Sequence, residues 1–305
     1  MPTVKYSEFD LSKLTFTTPE ENKQIPEITK YQLMSIPSYT EGDKSEMPTI
    51  QGPWMTLDFY GIPSKADKFG KPRLSQSGQI LSDRERGKLK IPFNLENAQS
   101  KQLYDLLVAV DKKVESEKEQ IFGDKKKAAA YRYQPIVRRS AEDPNAPEDA
   151  LPKPDYFVIK VDFDAKNGSV KSKVYTNTAG ERTEVTVATL DDVQKHVRYK
   201  CEFRPIFTLC KLFSSRAAQD GKRSYGVGLK LKMVEVKPVV STREESETFF
   251  IDTDDEGEER KELVTQTTTA KGEESEEDEQ PQQKQKTVTG AGTTKGRKGG
   301  KNTTV

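Results

Sequence analysis

The chain has 305 residues, 32% of them hydrophobic and 32% charged, with 50 Lys and Arg against 49 Asp and Glu. That is too polar for a single compact globule of this length, so part of the chain is expected to stay unfolded. No run approaches the roughly 18 apolar residues of a membrane helix, and Met1–Ser12 holds no apolar signal segment, so an intracellular protein without a membrane partner is predicted.

Residues 1–46 scatter Tyr6, Phe9, Leu11, Leu14, Phe16, Ile36 and Tyr39 without a sustained period, and read as an irregular N-terminal arm that lays its aromatics on the body. A β-rich binding domain is predicted over 47–240. Its first strand spans Ile50–Ile62, dense in Trp54, Met55, Leu57, Phe59 and Tyr60. Pro63–Gly87, rich in Lys, Ser, Gly and Asp, is expected to be a long exposed loop. After a short strand over Leu89–Leu95, one long helix is predicted over Glu96–Glu119 with Asn94 as its cap. There Leu103, Leu106, Leu107, Val110 and Val114 make a single apolar stripe, which is read as core. A strand over Ala129–Arg139 and an acidic, Pro-rich loop over Ala141–Pro154 follow.

Tyr156–Asp164 alternates as a half-buried strand, with Phe157, Ile159, Val161 and Phe163 inward and Lys160, Asp162 and Asp164 outward as solvated charge. Asn167-Gly168 predicts a hairpin into Val170–Thr176, and Ala179-Gly180 turns the chain into Thr183–Val187. Thr189 starts a short helix to His196. Two long strands, Arg198–Phe213 and Tyr225–Lys237, close the domain across a basic connector, Ser214–Ser224. About eight strands with turns roughly every 8 to 12 residues predict a mainly β, α+β fold with one long helix, an OB-like antiparallel barrel.

Beyond Pro238 the composition changes. Residues 241–305 hold 10 Lys and Arg against 16 Asp and Glu, a net of −6, which leaves 40 minus 33, or +7, for the body. A disordered acidic segment, 241–279, and a disordered basic Gly-rich tail, 280–305, are predicted, because neither can bury a core. Phe249-Phe250-Ile251-Asp252 ahead of the acidic run resembles the acidic tails of replication single-strand binding proteins, which compete with DNA and recruit partners. Thr253 and Ser275 each have an acid three residues on, a pattern that acidophilic kinases favour, and phosphate there would add to the competing charge.

Catalysis needs a constellation, and one is hard to find. The single histidine, His196, and the two cysteines allow no zinc site of the usual spacing, and Gly226-Val-Gly228 lacks the third glycine of a dinucleotide fingerprint. No catalytic residue, metal or cofactor is expected, and the chain reads as non-enzymatic. Cys201 and Cys210, on one strand, stand too far apart to pair and read as reduced packing thiols.

The informative pattern is cations interleaved with aromatics. Arg132 lies between Tyr131 and Tyr133, Arg138 closes that strand, and Lys200 and Arg204 alternate with Tyr199, Phe203 and Phe207. Arg216, Lys222 and Arg223 stand on the connector ahead of Tyr225, and Lys230 and Lys232 share a face opposite Leu229, Leu231 and Met233. Half-buried antiparallel strands alternate in this way for structural reasons alone. A cationic groove with exposed rings is also how a protein holds a single strand, by phosphate contact and base stacking. These side chains are the candidate nucleic-acid contacts.

The stretch Ala150-Leu-Pro-Lys-Pro-Asp-Tyr-Phe-Val-Ile-Lys-Val-Asp-Phe, the series His196, Cys201, Phe207 and Cys210, and the closing Tyr225-Gly-Val-Gly-Leu-Lys-Leu-Lys-Met-Val-Glu-Val are together similar to the single-stranded DNA-binding proteins of large eukaryotic DNA viruses, African swine fever virus among them. The likeness covers about 89–237. It implies an OB-like barrel, binding to single-stranded DNA and a role in viral replication or repair in the infected cell, whereas the long acidic-then-basic tail departs from that family. A protein that coats and protects single-stranded DNA without sequence preference is expected, with viral replication proteins as partners of the acidic segment. The alternative is a virion structural or genome-packaging-associated protein without catalytic activity.

Overall fold

The computed structural model describes residues 3–21, 30–57, 61–66, 69–75, 78–140, 153–164 and 167–237. The chain divides into two units, Met1–Phe250 and Ile251–Val305. The tail segments 241–279 and 280–305 lie outside the described residues, as does most of the loop 141–154.

The described strands are β1 (Val4–Lys5), β2 (Leu14–Thr15), β3 (Gln32–Ser35), β4 (Ser38–Glu41), β5 (Lys44–Glu46), β6 (Thr49–Gln51) and β7 (Met55–Thr56), then β8 (Lys88–Pro92), β9 (Tyr131–Gln134), β10 (Tyr156–Val161), β11 (Lys173–Thr178), β12 (Glu181–Val185), β13 (Glu202–Gln219) and β14 (Lys222–Lys237). The helices are α1 (Asp83–Arg86), α2 (Ala98–Ser116), α3 (Lys118–Phe122), α4 (Lys125–Ala129) and α5 (Leu190–His196).

The spine is the hairpin of β13 and β14. What reads in sequence as a connector, Ser214–Ser224, is mostly strand, and the reversal is confined to Asp220-Gly221, at φ 53° and 72°. Two consecutive left-handed residues make the turn whose twist matches paired strands. Phe203, Phe207, Leu209 and Leu212 on β13 and Leu229, Leu231, Val234 and Val236 on β14 point into the core. Along its free edge β14 takes β9, β10 and β11 in series, all parallel, while β13 takes β3, β6 and β7, all antiparallel. The result is a mainly β fold whose 11-stranded sheet curls into half a barrel. It is mixed rather than antiparallel, a difference that strand-by-strand alternation cannot reveal because parallel partners are far apart in sequence.

Three other expectations change in part. The N-terminal residues 1–46 lay Tyr6, Phe9, Leu14, Phe16 and Tyr39 on the body as expected, but they are less irregular than their sequence suggests: β1 pairs with β6, and β2–β4–β5 form a second sheet. The Asn167-Gly168 turn closes only a single bridge, Phe163 to Val170; β11 instead pairs with β12 across Ala179-Gly180 and with β14. Pro63–Gly87 ends in α1, with a capping box between Ser82 and Glu85, and carries a fully buried arginine, Arg86.

Helix α2 is capped by Asn97, whose Oδ1 accepts from the N–H groups of Gln99 and Ser100 at 2.9 and 3.1 Å; Asn94 shapes the preceding turn. Leu103, Leu107, Val110 and Val114 are buried as the stripe predicts, with Leu106 at its margin. Cys201 falls in the turn before β13, where burial pushes its thiol up to about 11. Cys210 on β13 donates to the Gly228 carbonyl at 3.2 Å, and both thiols are free.

Candidate nucleic-acid interface

Alternation on β8, β10 and β14 buries Leu89, Ile91, Phe157, Ile159, Leu229 and Leu231 and turns the residues between them outward. Cross-strand register then aligns three lysines on that outward side. Lys88 lies opposite Lys160, and Lys160 opposite Lys230. Directly opposed side chains stand about 5 Å apart, and like charges so placed repel. Lys211, beside Gly228 on the next strand, and Arg138, whose backbone bridges Tyr156, add to the same field. Crowding by protein, then the Lys88 charge and after it Arg138, lower the Lys160 pKa from its ordinary value; burial, then Lys160 and Lys230, do the same to Lys211.

Asp162 is the one acid ion-paired to this cluster among the described residues. Its Oδ1 takes Lys230 at 3.1 Å and its Oδ2 takes Lys232 at 3.3 Å. It is nearly buried, against the expectation of a solvated strand-edge charge, because Ser172 also accepts from its backbone N–H at 2.8 Å. Lys88, Arg138, Lys160 and Lys211 make no ion pair among the described residues, and Lys88 has only the more distant charge of Glu85 near it. Two rings lie beside the row: Tyr156, with the Lys90 ammonium 5.4 Å from its centroid, and Phe213, with Lys211 at 5.8 Å. Gly226, opposite Phe213, has no room for a Cβ, which would stand 2.7 Å from the Gln134 carbonyl oxygen.

The structure scatters the residues singled out by sequence. Arg138, Lys230 and Lys232 belong to the cluster. Tyr225 does not offer a ring: it is fully buried, edge-on to Phe122 at 5.1 Å, and its hydroxyl has no hydrogen-bond partner among the described residues. Tyr133 is a tie between β9 and α2, its hydroxyl donating to Asp111 at 2.6 Å, and Asp111 also accepts from the Ile136 and Val137 amides. Tyr131 lies stacked on Phe122, centroids 3.9 Å apart, so one of its faces is covered. Arg132 pairs with Asp220 at 3.8 Å and Arg216 with Glu21; with Lys222 and Arg223 they lie towards the tip of the long hairpin. Lys200 is in the turn before β13, with its Nζ 5.7 Å from the Tyr199 ring.

Arg204 is structural as well. It lies 5.0 Å from the Trp54 ring and donates to Glu235, which also takes Arg182 at 2.7 Å and Asn177 at 2.7 Å. Burial alone would raise the Glu235 carboxyl, but the hydrogen bonds from Arg182, Asn177 and Arg204 outweigh it and hold the pKa at about 2, from an ordinary 4.5. A depressed folded-state pKa gives stability that is complete above 4.5 and is lost as pH falls towards 2. The expected contribution is about 3 kcal/mol. Urea unfolding from pH 6 to pH 2 should show that loss in the parent, and in Glu235→Gln a lower stability at pH 6 with a flatter acid limb. Equal pH dependence of the two chains would remove Glu235 as its source.

No family model matches the chain, and no curated protein matches it. Among solved structures, the crystal structure of gp2.5, a single-stranded DNA-binding protein encoded by bacteriophage T7, is similar over 71% of this chain and 100% of its own. The identity is 10% and the TM-score 0.35. A likeness that low carries no weight for this chain's chemistry. The site stands on its own geometry.

Proposed function

We propose that this chain binds single-stranded DNA without sequence preference and without catalysis, through the outer face of β8, β10, β14 and β13. The observation that supports it is the register that opposes Lys88, Lys160 and Lys230 with so little compensating acid. A sheet gains nothing in stability from three lysines in one row; a polyanion laid across them removes the repulsion and releases counterions. Tyr156 and Phe213 at the margins supply rings on which any base can stack. The setting suggested by the resemblance to viral proteins is replication or repair, with the acidic segment 241–279 competing for the same cations and recruiting replication partners.

Titration of labelled oligonucleotides at several salt concentrations tests this. Single strands are expected to bind better than duplex, with log K falling against log salt at a slope near −4 if five or six phosphates are neutralised. A chain ending at Val240 should bind more tightly at low salt than one ending at Glu279, and the two should converge as salt rises. Equal affinity for duplex, or a slope near zero, overturns the reading.

A further inference from the structure

A second basic site shares no residue with the lysine row. Gly61, Ile62, Pro63, Ser64 and Arg73 form one side of an open cleft; the other side is α5 and the turn after it, through Asp191, Gln194, Lys195, Arg198 and Tyr199. Both sides are tied from beneath by Arg86, whose side chain is wholly buried. It donates through Nε to the Pro63 carbonyl at 2.9 Å, through one terminal nitrogen to Asp83 at 2.6 Å, and through the other to Asp191 at 2.6 Å and Gln194 at 3.4 Å. Three of those four partners line the cleft. Burying a guanidinium is a costly way to stabilise a fold, but its planar fork is well suited to fixing two walls in one geometry.

The charges left over are positive. Asp191 is doubly neutralised, by Arg86 and by Lys65 at 2.7 Å, and Lys195 pairs with Asp192. Arg73 and Arg198 are exposed and have no acid partner among the described residues. Between α5 and β13 Tyr199 is 59% exposed, with the Lys200 ammonium 5.7 Å from its ring centroid. Tyr199 lines the same cleft as Arg73 and Arg198, neither of which has an acid partner among the described residues, with Ile62 and Pro63 on the other wall.

We propose that this cleft is a nucleotide site, in which Arg73 and Arg198 hold a phosphate and Tyr199 stacks on the base. Guanidinium forks suit phosphate oxygens, and a ring offers every base the same π-face. The ligand is a nucleotide of either source, free in solution or at one position of a bound strand.

Calorimetric titration of the full chain with deoxythymidine 5′-monophosphate, with thymidine and with inorganic phosphate separates the parts. The monophosphate should bind saturably at millimolar concentration, and thymidine and phosphate each at least about tenfold more weakly, since each keeps only one of the two contacts. Arg73→Ser with Arg198→Ser should weaken the monophosphate about tenfold or more with an unchanged melting temperature, both side chains being exposed. Tyr199→Ala should weaken the monophosphate and leave phosphate binding as it was. Displacement of a bound oligonucleotide's contact at this cleft by excess monophosphate identifies the strand as the source, and independent binding of both identifies free nucleotide. Absence of saturable monophosphate binding, or equal binding by the Arg73→Ser, Arg198→Ser chain, overturns the proposal and leaves the lysine-row reading untouched.

Discussion

Replacing Lys88, Lys160 and Lys230 together with glutamine is expected to weaken single-strand binding on the order of hundredfold at low salt, from about 1 kcal/mol for each phosphate contact. The salt slope should flatten by about 2, the single-strand coefficient of about 0.7 taken three times. The same substitution should leave the fold as stable or more so, because two directly opposed like-charge pairs disappear, each destabilising by a few tenths of a kcal/mol. Lys230 tempers that gain, since its loss also takes one of two cations from Asp162. Opposite signs for binding and stability distinguish a binding surface from a structural one. Lost binding accompanied by a lower melting temperature would instead make the row part of the scaffold, and unchanged binding would place the contacts elsewhere. The comparison chain is Lys222→Gln with Arg223→Gln, which removes the same kind of charge from the hairpin tip and is expected to change the affinity severalfold at most.

Arg86→Met should cost about 3 to 5 kcal/mol of unfolding free energy, the range found when one partner of a buried ionic network is removed. The methionine can fill the channel of the arginine's stem, so the loss isolates the polar part. Asp83 and Asp191 are each less than half exposed in side chain and can rehydrate only in part; the Pro63 carbonyl loses its donor outright. Arg86→Lys should recover a fraction, because one ammonium cannot reach both α1 and α5 as the fork does. Equilibrium urea unfolding of the three chains decides it. A loss below 1 kcal/mol for Arg86→Met would mean that the two walls of the cleft are held by their apolar contacts and that the guanidinium is incidental.

Much of this was legible residue by residue. The α2 stripe, the inward set on β10, the Thr189 start of α5 and the presence of two long closing strands all follow from period, cap and turn chemistry, which act within a few residues of themselves. What needed the tertiary structure is everything that depends on which strand lies beside which. Tyr131, Tyr133 and Tyr225 look alike in sequence, yet β9 running parallel to β14 over the end of α2 and α3 covers one face of the first, ties the second to Asp111 and buries the third. Lys160 reads as ordinary polar alternation until parallel pairing with β14 and antiparallel pairing with β8 set it between Lys230 and Lys88. Arg86 sits in a stretch with every mark of an exposed loop, and only the approach of α5, more than a hundred residues later, adds a second carboxylate to that of Asp83 as the side chain is buried. Composition and short spacing therefore determined that the body is basic and where its cations alternate with apolar residues, while long-range register decided which of those cations stand together and lack an ion pair among the described residues.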